Sequence, residues 1–88
     1  MPFWVYILQS ESTGRYYAGQ TDHLERRLSE HNDPGYMGSK TTKRFKGPWK
    51  VIWTMQVATR SEAMILEKVV KKRGIGRFLE TSVGRVPL

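Results

Sequence analysis

The chain has 88 residues, no cysteine and a formal net charge of +7, from 15 Lys and Arg against 8 Asp and Glu. This length predicts a single domain over residues 1–88, with a core at about 3–82 and a flexible tail at 83–88, and the absence of cysteine excludes disulfides and thiolate metal sites. No apolar run approaches the roughly 18 residues that span a bilayer, so we expect a cytoplasmic protein with no membrane partner, and the charge favours nucleic acid.

The first two predicted elements are the strands of a β-hairpin, Phe3–Gln9 and Arg15–Thr21. Both are rich in β-branched and aromatic residues, and turn-forming residues separate them. With a loop at Ser10–Thr13, Tyr6 falls opposite Tyr17, and facing residues share one side of a sheet. The two phenols would then stand together, and Gly19 would leave the surface beside them open to a ligand.

A helix is predicted to follow the hairpin. Asp22 is a good N-cap, Glu25 three residues later resembles a capping box, and Leu24 and Leu28 form an apolar pair at i, i+4.

Two basic side chains of this helix are expected to reach the sheet. On a helical wheel Arg27 borders the apolar stripe and His31 lies one turn beyond it, whereas Arg26 points to water. An arginine at this rim can bring its guanidinium near the two phenols.

The segment after the helix, Tyr36–Gly47, is predicted to be a loop. Its four cations are candidate nucleic-acid-binding residues, Lys40, Lys43, Arg44 and Lys46. A solvated connection without binding is the alternative.

A third strand, Trp49–Val57, is predicted from alternating apolar residues. The alternation places five side chains on one face: Trp49, Val51, Trp53, Met55 and Val57. The strand should pair with the hairpin in a three-stranded antiparallel sheet that packs one face on helices. The aromatic stripe is more typical of a core than of a base-stacking platform.

A second helix is predicted from a capping box at Thr59 and Glu62, and Ile75–Thr81 is predicted to be a further short helix. The apolar stripe of the second helix comprises Ala63, Ile65, Leu66, Val69 and Val70. Glu67 borders the stripe, either as a metal ligand or as the partner of Lys71 in an i, i+4 pair. The fold class is therefore α/β (α+β), a three-stranded antiparallel sheet flanked by helices in the order β-β-α-β-α-α.

Four short motifs together resemble the GIY-YIG nuclease domain. They are Trp4-Val5-Tyr6, Tyr17-Ala18-Gly19, Arg27 in ERRLSEH and Glu67 in EAMILEKVVKK. The set is similar above all to the small single-domain bacterial branch of this family and covers about Phe3 to Lys72. The resemblance implies a GIY-YIG-like fold and a metal-dependent endonuclease that hydrolyses DNA with low sequence specificity.

The resemblance also implies roles for individual residues. Glu67 would hold one divalent ion, Mg²⁺ or Mn²⁺, Arg27 would contact the scissile phosphate, and Tyr6 and Tyr17 would orient the attacking water. Because a phenol with an ordinary pKa of about 10 is almost wholly protonated at pH 7, we hypothesise that His31 accepts a proton from Tyr6. DNA is favoured over RNA as the partner, and a monomer over an oligomer.

Two other functions remain open. The basic loop, and the fact that the only asparagine is Asn32 whereas many family nucleases carry one after the metal glutamate, favour a non-catalytic nucleic-acid-binding module. Exposed rings such as Tyr36 and Phe45 would suit a scaffold for another protein.

Overall fold

A computed structural model describes residues 2–33 and 47–82. It contains β1 (Phe3–Ser10), β2 (Tyr16–Thr21), α1 (Leu24–Asn32), β3 (Trp49–Val57), α2 (Arg60–Arg73) and α3 (Ile75–Ser82). The predicted fold class and element order are confirmed, with a three-stranded antiparallel sheet of order β2-β1-β3. The predicted tail at 83–88 lies outside the described residues, as do several residues singled out above: Tyr36, Lys40, Lys43, Arg44, Phe45 and Lys46. No helix of the described parts is both long and apolar enough to cross a membrane.

The hairpin register differs from the predicted one, because Tyr6 lies opposite Gly19 rather than Tyr17. The turn begins one residue later than expected, since the Ser10 amide donates to the Arg15 carbonyl at 2.9 Å and keeps Ser10 in β1. Moving the turn by one residue moves the register by two. Tyr6 and Tyr17 therefore still share a face of the sheet.

Hydrogen bonds within the turn explain where it forms. The Ser10 hydroxyl oxygen accepts from the amides of Ser12, at 3.3 Å, and Thr13, at 3.1 Å. Gly14 has φ +76° and donates its amide to the Ser10 carbonyl at 3.0 Å. Glycine adopts positive φ at little cost, so the turn extends to Gly14 instead of ending at Thr13.

The strand β3 contains a β-bulge that divides its apolar stripe. Ile7 of β1 pairs with Trp53, but the next residue, Leu8, pairs with Val51, so Ile52 is the extra residue. An extra residue reverses the alternation of side chains, so Val51 and Trp53 lie on opposite faces of the sheet. The prediction that all five apolar residues of this strand share one face is wrong.

Both faces of the sheet are consequently packed, rather than one as predicted. The face toward α2 and α3 holds Ile7, Ala18, Trp53, Val70 and Phe78. The face toward α1 holds Tyr6, Leu8, Tyr17, Leu24, Leu28, Val51 and Trp49. The two tyrosines of the predicted site therefore lie beneath α1.

The two long helices begin with different caps. His23 is the N-cap of α1, and its Nδ1 accepts from the Arg26 amide at 3.2 Å, so the prediction of Asp22 as N-cap is wrong. Asp22 instead accepts from the Arg26 guanidinium at 3.4 Å. The predicted capping box of Thr59 and Glu62 is present at the start of α2.

The apolar stripe of α2 is narrower than predicted. Ala63 and Val70 are buried, but Ile65 is 64% exposed and Val69 is 46% exposed. On a helical wheel Ile65 lies about 200° from Ala63, so both cannot face the sheet when only one side of the helix is packed. The assignment of Ile65 and Val69 to the buried stripe is wrong.

Candidate functional site

The Tyr6 hydroxyl is the centre of a buried polar cluster formed by β1, β2 and α1. Tyr6 is 1% exposed and His31 2% exposed, and Tyr6 Oη lies 2.9 Å from His31 Nε2. The Tyr17 ring centroid lies 4.9 Å from that of His31 and 6.4 Å from that of Tyr6. The structure thus brings together the two phenols and the imidazole that were predicted to meet.

Gly19 provides the space that the Tyr6 ring occupies. A Cβ atom on Gly19 would lie 2.5 Å from Tyr6 Oη and 2.7 Å from Tyr6 Cζ. The prediction that Gly19 leaves the surface open to a ligand is therefore wrong, because the observed register sets Tyr6 directly across from it.

We expect Gly19→Ala to lower the free energy of unfolding by about 1–3 kcal/mol, since the buried, hydrogen-bonded Tyr6 cannot move aside. Tyr6→Phe removes the atom closest to the new methyl group. Gly19→Ala should therefore lower the free energy of unfolding by less in the Tyr6→Phe variant than in the wild type. Urea denaturation of the wild type, both single variants and the double variant measures this coupling. Gly76→Ala is the control, because its Cβ would lie 3.6 Å from its nearest neighbour. Additive effects of Gly19→Ala and Tyr6→Phe would show that the Tyr6 hydroxyl does not pack against Gly19.

Arg27 lies at the edge of the cluster and interacts with two groups. Its Nη1 donates to Glu30 Oε1 at 3.0 Å, and its guanidinium is close enough to the Tyr6 hydroxyl for each to shift the pKa of the other. Burial acts to lower the pKa of Arg27, but Glu30 and Tyr6 raise it more, so the pKa lies above its ordinary value. Arg27 is therefore always a cation. Arg26 is exposed, as predicted.

Glu30 is a residue of this site that the sequence reasoning missed. It accepts from Arg27 at 3.0 Å and lies 3.8 Å from the Arg26 guanidinium. Its spacing in the sequence could have identified it. Glu30 follows Arg27 by three residues and Arg26 by four, and side chains at these spacings are neighbours on a helix surface.

The direction of the hydrogen bond between Tyr6 and His31 depends on the imidazole tautomer. When the imidazole proton is on Nδ1, His31 Nε2 accepts from the Tyr6 hydroxyl at 2.9 Å. Arg27 is close enough to lower the pKa of Tyr6. Arg27, Tyr6 and His31 are therefore neighbouring groups, and in this tautomer Tyr6 can pass its proton to the imidazole without a change of position.

Burial raises the pKa of Tyr6 well above its usual range. The neighbouring Tyr17 raises it further and Glu67 adds to this, while the hydrogen bond and charge of Arg27 lower it only in part. Tyr6 is therefore an uncharged phenol at neutral pH rather than a standing phenolate. Any proton that it takes up must be balanced by one that it releases, and His31 is in position to receive it.

We expect the buried Tyr6 to make the protein lose stability at alkaline pH. An unfolded phenol ionises at a pKa of about 10, whereas the folded Tyr6 stays protonated, so the free energy of unfolding should fall as the pH rises above about 10. Tyr6→Phe should make this fall shallower and remove the phenol that ionises last in an absorbance titration. Tyr16→Phe is the control, because Tyr16 is 41% exposed. Equal pH profiles for the two variants would contradict the buried, neutral Tyr6.

Glu67 approaches the cluster from α2. Its carboxylate is close enough to act on the pKa of Tyr6, so it does not lie on the far side of the molecule. Its Oε2 accepts from Lys71 Nζ at 2.7 Å, so the ion pair considered as an alternative is present.

Among the described residues, Glu67 is not part of a cluster of metal-ligating side chains. Residues 2–33 and 47–82 contain no group of three or more His, Asp or Glu side chains that could hold a metal ion. Within these ranges Lys71 is the only residue that forms a hydrogen bond or ion pair with Glu67. Zinc takes three or four protein ligands, whereas Mg²⁺ commonly binds one or two carboxylates and completes its shell with water and substrate phosphate.

Asn32 has a structural role. Its Nδ2 donates to the Trp49 carbonyl at 2.9 Å, and its Oδ1 accepts from the Trp49 amide at 2.8 Å. These two bonds tie the end of α1 to the start of β3 and so position the neighbouring His31. They also occupy both polar atoms of the only asparagine side chain in the sequence.

The chain is similar to known bacterial proteins in sequence and in fold. A family model described as the GIY-YIG catalytic domain matches residues 2–74. A UPF0213 protein of Streptococcus pneumoniae serotype 4 is 36% identical over 70 residues, which cover 80% of this chain and 67% of that protein. A UPF0213 protein of Enterococcus faecalis is 41% identical over 71 residues, covering 80% and 75%. The solution NMR structure of a UPF0213 protein from Bacillus halodurans is 27% identical, with a TM-score of 0.56 over 97% of this chain and 86% of that one.

Proposed function

Because the chain belongs to the GIY-YIG family, we propose that it is a metal-dependent endonuclease that hydrolyses phosphodiester bonds in DNA with low sequence specificity. The observation that carries this proposal is the buried hydrogen bond between Tyr6 and His31, with the Arg27 guanidinium close enough to lower the pKa of Tyr6. Tyr17 packs beside this series, and the Glu67 carboxylate acts on it electrostatically. The net charge of +7 suits a polyanionic substrate.

Arg27 binds the scissile phosphate in the proposed reaction. A guanidinium carries five N–H donors, so it can keep Glu30 and Tyr6 and still donate to a non-bridging oxygen. Its positive charge stabilises the negative charge that develops on the phosphate oxygens in the transition state.

Tyr6 and His31 move the proton of the attacking water. Tyr17 and Tyr6 orient the water, and its oxygen forms the new bond to phosphorus as the leaving oxygen departs with the electron pair of the broken bond. Tyr6 takes the proton released by the water and gives its own to His31 Nε2, at 2.9 Å. This coupled transfer avoids the phenolate that burial disfavours.

Glu67 holds one divalent ion, Mg²⁺ or Mn²⁺, in this proposal. The ion supplies further charge stabilisation at the phosphate oxygens. Lys71 has to release the Glu67 carboxylate for this to occur, because its ammonium contacts Oε2.

Incubation of the purified protein with supercoiled plasmid, branched DNA, single-stranded DNA and RNA, each with Mg²⁺ or Mn²⁺, tests the proposal. We expect nicking of the DNA substrates that EDTA stops. Cleavage that neither Arg27→Ala nor Glu67→Ala reduces would show that the site is wrong or that the activity is a contaminant.

A non-catalytic nucleic-acid-binding module is the second candidate. It is favoured by the Glu67–Lys71 ion pair, which sets an ammonium where the metal would bind, and by the structural use of Asn32. Such a protein would bind DNA with a steep salt dependence and show no turnover with either metal.

A further inference from the structure

A surface cavity of about 470 Å³ adjoins the Tyr6 cluster, where the end of β2 meets α1 and the first residue of α2. The lining includes three arginines, two carboxylates and one aromatic ring: Arg26, Arg27, Arg60, Asp22, Glu30 and Phe3. Arg27 belongs to both the cavity and the cluster, so a ligand in the cavity would lie next to one bound at the proposed catalytic site.

The charges that line the cavity do not cancel. Glu30 lies 3.0 Å from Arg27 and 3.8 Å from Arg26, and Asp22 lies 3.4 Å from Arg26. Within residues 2–33 and 47–82, no ion pair or hydrogen bond engages the Arg60 side chain. The three arginines and two carboxylates therefore leave one positive charge, which matches the single negative charge of a phosphodiester.

The position of Arg60 argues against a role in stability. Arg60 is the first residue of α2, where the positive end of the helix dipole makes a cation unfavourable. An anion at the same place would be attracted by the guanidinium and by the helix dipole together.

We propose that this cavity binds a backbone phosphate of the nucleic-acid strand, next to the scissile phosphate held by Arg27. The assignment rests on the proposed nuclease function, since it assumes a nucleic-acid strand across Arg27. The Phe3 ring provides an apolar wall for the adjoining sugar, which free phosphate would not use. Arg60 is a binding residue here, so its loss should raise KM for DNA and leave kcat nearly unchanged.

The test compares Arg60→Gln with Arg73→Gln. Both variants lose one positive charge from α2, but Arg73 is the last residue of the helix, roughly 20 Å from Arg60 along its axis. Binding of a labelled DNA duplex is measured in EDTA over a series of potassium chloride concentrations, with inorganic phosphate as a competitor. Metal-free binding separates this proposal from the nuclease proposal, which is tested by cleavage.

We expect Arg60→Gln to weaken binding severalfold and to reduce the slope of log K against log salt by about 0.9, one phosphate contact, relative to Arg73→Gln. Its melting temperature should be equal to or above that of the wild type, so unfolding would not account for the loss. Equal affinity and slope in the two variants would overturn the proposal, as would an absence of measurable duplex binding by the wild type. Displacement of the duplex by inorganic phosphate at concentrations comparable to those of DNA phosphate would show a simple anion site and would also overturn it.

Discussion

Arg27→Ala is expected to lower kcat/KM for DNA cleavage by about 10²–10³-fold, because it removes a charged donor from the phosphate in the transition state. Arg27→Lys should restore little of this activity. A lysine ammonium has no planar fork, so it cannot contact Glu30, Tyr6 and a phosphate in the positions that the guanidinium occupies. Single-turnover cleavage of a labelled duplex measures the effect.

Arg73→Ala and Arg73→Lys are the matched controls for Arg27, since they remove or change an exposed guanidinium elsewhere in the chain. Circular dichroism and thermal unfolding should confirm that every variant is folded. Full activity in Arg27→Lys would mean that only a positive charge is needed and that the fixed geometry of Arg27 has no catalytic role.

Glu67→Gln is expected to lower kcat/KM for metal-dependent cleavage about as much as Arg27→Ala does. The amide keeps the shape of the side chain but loses the charge that attracts a divalent ion. Its effect on stability should be small, since the lost partner is an i, i+4 ion pair worth about 0.3–0.5 kcal/mol. Because Glu67 acts to raise the pKa of Tyr6, the same variant should shift the last phenol titration to lower pH.

Glu80→Gln is the control for Glu67, as it makes the same chemical change at an exposed position of α3. Unchanged cleavage and unchanged metal dependence in Glu67→Gln would exclude Glu67 as the metal ligand. Normal DNA binding together with an absence of cleavage in the wild type would favour the non-catalytic module.

The sequence predicted the elements and their order because each carries a strong local signal. The capping box at Thr59 and Glu62 starts α2, and alternating apolar residues mark β3. The wheel position of Arg27 correctly separated it from the exposed Arg26. These signals depend on residues close together in the chain, so they can be recognised without knowledge of the tertiary structure.

Features that depend on pairing between elements could not be predicted in the same way. The hairpin register follows from hydrogen bonds that Ser10 makes in the folded turn, and the bulge at Ile52 appears only when β3 is aligned with β1. Tyr6 and Tyr17 nevertheless lie on the same face of the sheet, because the observed register differs from the predicted one by two residues. The role of Gly19 was misjudged for the same reason, since the sequence alone did not place Tyr6 across from it.

The proposed function requires that a carboxylate on α2 and the paired phenols of the hairpin form one site for a metal ion and a phosphate. Titration with Mn²⁺, followed by paramagnetic broadening of individual backbone amide signals, tests it most directly. We expect broadening that is strongest at Glu67, reaches Tyr6 and Tyr17, and disappears in Glu67→Gln. Broadening centred on other carboxylates such as Asp22 and Glu30, or unchanged in Glu67→Gln, would contradict it.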